Sequence, residues 1–207
     1  LKLNEMIESG KITADKAVMG YVGAFTYAEV ISGLTSFYLG AKSVCPSVTM
    51  KVQYTGSWYD VGKEQEAANA LISKGCVLIS QHADSMGAPG ACESKGVPNV
   101  SYNGSTFDAC PETFIISSAI KGVGDSLFSS IERAQAGELP YGEHETLGLA
   151  EGAVGLADNE IYNTVVPEDV RTAVDGAKEK LLAGEVTVDT AYGMDEETLK
   201  GIINGAQ

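Results

Sequence analysis

At 207 residues the chain has room for one large domain or two small ones, and its 44% apolar and 20% charged residues exclude intrinsic disorder. Lys and Arg number 14 against 28 Asp and Glu; the resulting formal net charge of -14 works against any partner held through a phosphate backbone, so nucleic acid is excluded as a polymer partner. The longest nearly unbroken apolar stretch, residues 17–25, is far short of the roughly 20 residues that a membrane-spanning helix needs.

In chain order, residues 1–11 predict a short amphipathic helix with Leu3, Met6 and Ile7 on one side, ending at Gly10. Residues 18–25 form a compact apolar run with two glycines, the pattern of a buried parallel strand reaching a tight turn. Val30, Ile31, Leu34, Phe37, Tyr38 and Ala41 then mark one face of a helix that Pro46 stops. A second strand is expected over residues 48–54, followed by the loop Thr55-Gly56-Ser57-Trp58-Tyr59-Asp60. Ala67, Ala68, Leu71 and Ile72 give the next helical stripe, with Gly75 placed for a left-handed C-terminal cap. A third strand over 76–80, a short helix to Lys95 and a fourth strand over 97–102 complete a repeating strand and helix pattern. Such alternation predicts an α/β fold with a parallel sheet flanked by helices on both faces.

The second half is less regular. Residues 113–135 read as a short strand running into a helix whose apolar row is Ile120, Val123, Leu127 and Ile131, and residues 146–157 as one or two strands. Pro167 at a first helical position, Glu168 and Asp169 in the first turn, the row Val170, Val174, Ala177 and Leu181, and Gly184 at the end define the clearest helix.

Ligands of an open parallel sheet bind beyond the carboxyl ends of its strands. Here those loops span residues 23–27, 56–60, 81–87 and 103–108. They carry Trp58, His82, Asp84, Ser85 and Asn103, an aromatic plate beside hydrogen-bonding groups, which suits a small, flat, polar ligand. Each residue also has a structural role open to it. Trp58 can cover the sheet end, His82 can be a satisfied core histidine, Asp84 and Ser85 can cap the next helix, and Asn103 is a natural turn residue. No nucleophile elbow, phosphate loop or dinucleotide fingerprint is present, so neither an enzyme nor a cofactor is expected. Glu143-His144-Glu145 reads as a solvated polar turn, with no metal expected there. Cys45, Cys76, Cys92 and Cys110 stand singly, which fits either two disulfides or four small core residues.

The strings Met19-Gly20-Tyr21-Val22-Gly23-Ala24-Phe25, Tyr54-Thr55-Gly56-Ser57-Trp58-Tyr59-Asp60, Gly75-Cys76-Val77-Leu78-Ile79-Ser80-Gln81-His82-Ala83-Asp84-Ser85 and Ser101-Tyr102-Asn103, followed by Ile116-Ser117-Ser118-Ala119-Ile120-Lys121, together resemble the basic membrane protein (BMP) family. These are PnrA-like substrate-binding lipoproteins of ABC transporters. The resemblance implies a type I periplasmic-binding-protein fold whose two α/β lobes close on a purine nucleoside or base. It implies a permease as partner and a place outside the cytoplasmic membrane, either lipid-anchored or periplasmic, with the anchor expected outside this chain. Carried over by position, Trp58 stands where the family has a base-stacking Phe, and Asp84 and Ser85 occupy a ligand-contacting Gly-rich segment. Asn103 replaces a carboxylate that holds ribose hydroxyls, and Lys121 matches a lysine that reaches the sugar. These exchanges make a free base as compatible as a nucleoside. The resemblance further implies that residues 12–110 are the second lobe and 111–207 the crossover segment with part of the first, the rest of which is expected ahead of Leu1. The alternatives are a ligand-sensing domain of the same fold and, third, a nucleoside-processing enzyme.

Overall fold

The computed structural model describes residues 1–143, 145–157, 160–188, 191, 194, 195, 197, 198 and 201. His144 of the expected polar turn lies outside them. Strands β1 (Val18–Gly23), β2 (Thr49–Tyr54), β3 (Leu78–His82), β4 (Asn99–Ser101) and β5 (Phe114–Ile120) run parallel, and β6 (Val154–Leu156) returns antiparallel along β5. The sheet order is β2-β1-β3-β4-β5-β6. Helix α1 (Lys2–Glu8) precedes the sheet, α2 (Ala28–Val44), α3 (Val61–Ser73) and α4 (Gly87–Lys95) connect β1 to β4, and α5 (Val123–Ala136), α6 (Glu160–Val165) and α7 (Glu168–Leu182) follow.

A parallel sheet whose strands are apolar on both sides must be covered on both faces, and side chains alternate along each strand. Met19 lies opposite Leu78, and both join Tyr21 and Met50 against Leu3 and Met6 of α1 and Ile31, Leu34 and Tyr38 of α2. On the other face Val22 and Ile79 pack against Ala67, Ala68 and Leu71 of α3 and Ala88, Ala91 and Cys92 of α4. Each fully buried large aliphatic side chain contributes about 1.5–3 kcal/mol, so these two clusters hold the lobe together. Ala191 excepted, every buried member of both lies before residue 93.

The third and fourth strands differ most from expectation in their boundaries. The third strand begins at Leu78, because Gly75 (φ +89°) ends α3 with its own N–H and that of Cys76 still bonded back to the Ile72 and Leu71 carbonyls. Gln81 and His82, expected in the loop, are therefore strand residues. The fourth strand begins at Asn99, since Gly96 caps α4 in the left-handed region and Pro98 has no N–H to give a ladder. Residues 146–157 yield the one strand β6. Pro167 sits one position ahead of α7, its ψ of 148° being extended, so the helix starts at Glu168.

The largest difference concerns α5. Ile120 of the expected row ends β5 instead, and the rest of the row lies on α5 but faces outward: Val123, Leu127 and Ile131 are 56%, 62% and 56% exposed, and Phe128 beside them is 64% exposed. A 3.6-residue period shows that a helix has an apolar side, and among the described residues nothing covers this one.

All four cysteines are buried and unpaired. Burial pushes the Cys76 thiol up to about 11 and the Cys92 thiol up to about 12. Thiolates are the reactive form, so the folded chain at pH 8 is expected to leave Ellman's reagent essentially unreacted over an hour. All four thiols should react once guanidinium is added; rapid native-state reaction of Cys76 or Cys92 would contradict this packing.

Candidate functional site

The carboxyl ends of β1, β2 and β3 bring three loops together. Five rings from four segments, the fourth following β4, meet there. Phe25 and Tyr27 after β1 stack on each other at 5.0 Å, and Trp58 after β2 meets Phe25 edge-on at 5.3 Å and Tyr27 at 6.1 Å. His82 at the end of β3 lies 6.3 Å from Trp58 and stacks on Tyr102 at 3.9 Å with 25° between planes. Trp58 is 37% exposed and Tyr27 57%, so the cluster shows ring surface to solvent instead of closing over itself.

His82 is buried, on the α2 side of the sheet. It fits there because residue 33 of α2 is Gly: a Cβ at that position would lie 3.1 Å from the imidazole Cδ2. The imidazole Nδ1 is buried and among the described residues has no hydrogen-bond partner, and the same holds for Tyr54 Oη at the end of β2. A buried polar atom left unpaired costs about 1–3 kcal/mol.

Backbone bonds fasten the loops to one another. The Asp84 N–H donates to the Trp58 carbonyl at 2.8 Å, which leaves the exposed Asp84 carboxylate beside the Trp58 loop. Ser85 is buried and, one residue ahead of the Met86 N-cap position, its Oγ accepts the N–H of Gly87, the first residue of α4, at 3.1 Å. Asp60 caps α3 by accepting the Lys63 N–H at 3.0 Å, and that bond holds its carboxyl below the usual value.

Asn103 is exposed and turns the chain at φ +64°, its N–H donating to Ser118 Oγ of β5. Its predicted role as a turn residue holds. Lys121 follows the end of β5, its N–H bonded to the Ala153 carbonyl at 2.8 Å. Because β5 pairs with the end of β4 at Ser117 and then runs on with β6, Lys121 stands about 13 Å further along the strand direction than that pair. The structure thus gathers Trp58, His82 and Asp84 directly, places Asn103 one strand away, and sets Lys121 beyond the far end of β5. Sequence reasoning did not single out Phe25, Tyr27 and Tyr102, although the first two lie in a predicted site loop; no spacing links residues brought together from separate loops.

The arrangement can stack a flat ring, offer hydrogen-bond partners at its edge, and oppose negative charge, since Asp60 and Asp84 are the acids of its two central loops. Among the described residues no cluster of three or more His, Cys, Asp and Glu could hold a metal ion.

Comparison with known proteins places the chain. It is 30% identical over 83% of its length to a purine-binding protein of Brucella abortus, of which it covers 47%. It is 31% identical over 92% of its length to TsgA13 of Haloferax volcanii, a protein named for glucose binding by an ABC transporter, again covering 47% of it. The nucleoside-binding protein BmpA of Lactococcus lactis is 27% identical over 89% of the chain, which covers 58% of that protein. The chain thus spans about half the length of these relatives. In fold it is similar to a solute-binding protein of an Aeropyrum pernix ABC transporter system, with a TM-score of 0.75, 19% identity, 99% of this chain and 65% of that one covered. The family model for PnrA-like ABC transporter substrate-binding proteins matches residues 9–189, and the chain belongs to that family, Bmp.

Proposed function

We propose that this chain supplies one wall of the ligand cleft of an ABC transporter substrate-binding protein, and that the ligand is an uncharged purine base or nucleoside. The observation that carries the reading is the open ring cluster of Phe25, Tyr27, Trp58, His82 and Tyr102 at the carboxyl edge of the sheet, with the buried Nδ1 of His82, which has no hydrogen-bond partner among the described residues, inside it. A purine's faces gain from an aromatic plate, and its edge nitrogens need fixed partners to replace water. Asp84 stands at the base or sugar edge, Asn103 and Lys121 reach the sugar from the β4 and β5 ends, and Ser85 acts by holding the Asp84 loop. The acidic loops favour a nucleoside over a nucleotide, whose phosphate they would repel. The names of two relatives, purine-binding and nucleoside-binding, support the ligand class, and glucose in the name of the third makes a sugar the competitor to test.

Residues 12–110 form the second lobe in this proposal, and 111–207 the crossover and part of a first lobe. The location of both packed clusters before residue 93, Ala191 excepted, and the uncovered row of α5 support that division. The remainder of the first lobe packs on Val123, Leu127, Phe128 and Ile131 and supplies the opposite wall, so affinity depends on closure of the two. The protein works outside the cytoplasmic membrane, lipid-anchored or periplasmic, and hands its ligand unaltered to a permease.

Calorimetry on the full-length protein with adenine, adenosine, inosine, guanosine, AMP and glucose tests the ligand class. Micromolar or tighter binding of at least one base or nucleoside, with AMP and glucose at least about a hundredfold weaker, is the expected result. Binding of glucose alone would overturn it, as would release of free base from a nucleoside during the titration.

A further inference from the structure

We infer that Glu64, outside the ligand cluster itself, is the positioning residue that locks the Trp58 loop and the Asp84 loop into a single ligand-presenting unit. This rests on the reading of Trp58 and Asp84 as ligand contacts. Among the described residues Glu64 is the only buried Asp or Glu, with 0% exposure. It lies in the first turn of α3. Its Oε1 accepts the Asp60 N–H at 3.1 Å, and Oε1 and Oε2 accept the Ser85 N–H at 3.3 and 3.1 Å. Asp60 ends the Trp58 loop, and Ser85 follows Asp84. One carboxylate therefore grips the backbone of both loops from beneath, while the Asp84 N–H closes the ring above it on the Trp58 carbonyl.

A carboxylate is an odd choice for a core position unless its charge is used, because burying an ion without a cation is costly. Among the described residues no ion pair compensates Glu64; the nearby Lys63 is paired with Asp60 at 3.6 Å. The acceptor pattern explains the choice. Two amide N–H groups approach the same side chain, and only a carboxylate presents acceptors to both from either oxygen. Glutamine has the same shape but sets an NH2 group against the Ser85 N–H, donor against donor. The start of α4 also presses on this residue, since a Cβ at Gly87 would lie 3.0 Å from Glu64 Cβ. The loops cannot relax away from Glu64 without parting α3 from α4.

Burial, most of all, and the neighbouring Asp84 raise the Glu64 carboxyl above its ordinary value, against the opposing pull of the Asp60 and Ser85 hydrogen bonds. The charged groups facing it are Asp84 from the β3–α4 loop and Asp60 and Lys63 from the start of its own helix, and the first five residues of α4, Gly87-Ala88-Pro89-Gly90-Ala91, carry no charge. For a carboxyl raised on folding, the linked stability is fully present below the unfolded value and is lost as pH rises through the folded one. Acidification through this window therefore protonates Glu64 without this group favouring global unfolding. A change seen there at Trp58 is local.

Trp58 is the only tryptophan of the 207 residues, so its emission reports the loop in the absence of any ligand. The wild-type chain is expected to show an emission transition with a midpoint above the ordinary glutamate value of about 4.3, with unchanged far-UV circular dichroism. Asp84→Asn should retain the transition and Glu64→Gln should abolish it. In Glu64→Gln the Ser85 amide is expected to exchange with D2O at least about tenfold faster at pH 7, with Glu64→Asp restoring part of that protection. Adenine affinity of the full-length Glu64→Gln protein should fall about tenfold. A transition that persists in Glu64→Gln, or a Ser85 amide that exchanges at the wild-type rate, would overturn the inference. If Glu64→Gln does not fold, the wild-type titration decides, and absence of any transition above the ordinary value counts against it. If emission and exchange behave as expected but no purine binds to the wild type, the loop linkage stands and the purine reading falls.

Discussion

Trp58→Ala in the full-length protein is expected to weaken purine binding by about ten- to a hundredfold. Base–aromatic stacking is worth about 1–3 kcal/mol per base by alanine substitution, and every 1.4 kcal/mol is about tenfold in affinity. The loss should be specific. Trp58 belongs to neither buried cluster, and the hydrogen bonds of its loop run through the backbone of Trp58 and the side chains of Thr55, Ser57 and Asp60. The melting temperature should therefore stay within about a degree while affinity falls. Trp58→Phe, which keeps a ring, should retain most of the binding. Undiminished affinity of Trp58→Ala by calorimetry would remove the residue from the site and with it the reading of the ring cluster.

Gly87→Ala is expected to have the largest effect on stability. A Cβ at this position would collide with the Val61 carbonyl oxygen and lie 3.0 Å from the Gln65 nitrogen, both backbone atoms that cannot swing aside. α3 and α4 must then separate, and overpacking of this kind costs about 1–3 kcal/mol. The helix-propensity gain of Ala over Gly is about 1 kcal/mol in a helix interior and less at the first residue of α4, so it does not offset the collision. For a chain of this size each kcal/mol moves the melting temperature by about 2–4 °C, which predicts a drop of several degrees in calorimetry. Because Ser85 and Gly87 are bonded to each other, ligand affinity should fall as well. An unchanged melting temperature would mean that the helices slide apart without cost.

The alternation of strands and helices up to β4 was legible because buried parallel strands are apolar on both sides and the helices between them are not. Val18–Gly23 and the stripe of α2 follow directly from that contrast. The end of β3 was not legible. Gln81 and His82 are polar, and they stay in the strand because their backbones pair with Val22 and Gly23 of β1 whatever their side chains are. Trp58 stood out because a tryptophan in a Gly-Ser loop has no strand or helix to belong to. Glu64 was invisible for the opposite reason. In sequence it sits between Lys63 and Gln65 like any charged residue on a solvated helix face, and only the arrival of Ser85 and Gly87 from another loop buries it. Of the apolar row expected on α5, Ile120 belongs to β5 and the other three residues share one side of the helix, but periodicity gives a face and never its cover.

The central claim is that the carboxyl edge of this sheet holds a purine-stacking plate, and the emission of Trp58 at pH 7 tests it most directly. A titration of the 207-residue chain with adenine and, separately, with glucose should give saturable quenching by adenine and none by glucose. Saturable quenching by glucose with none by adenine would contradict the account.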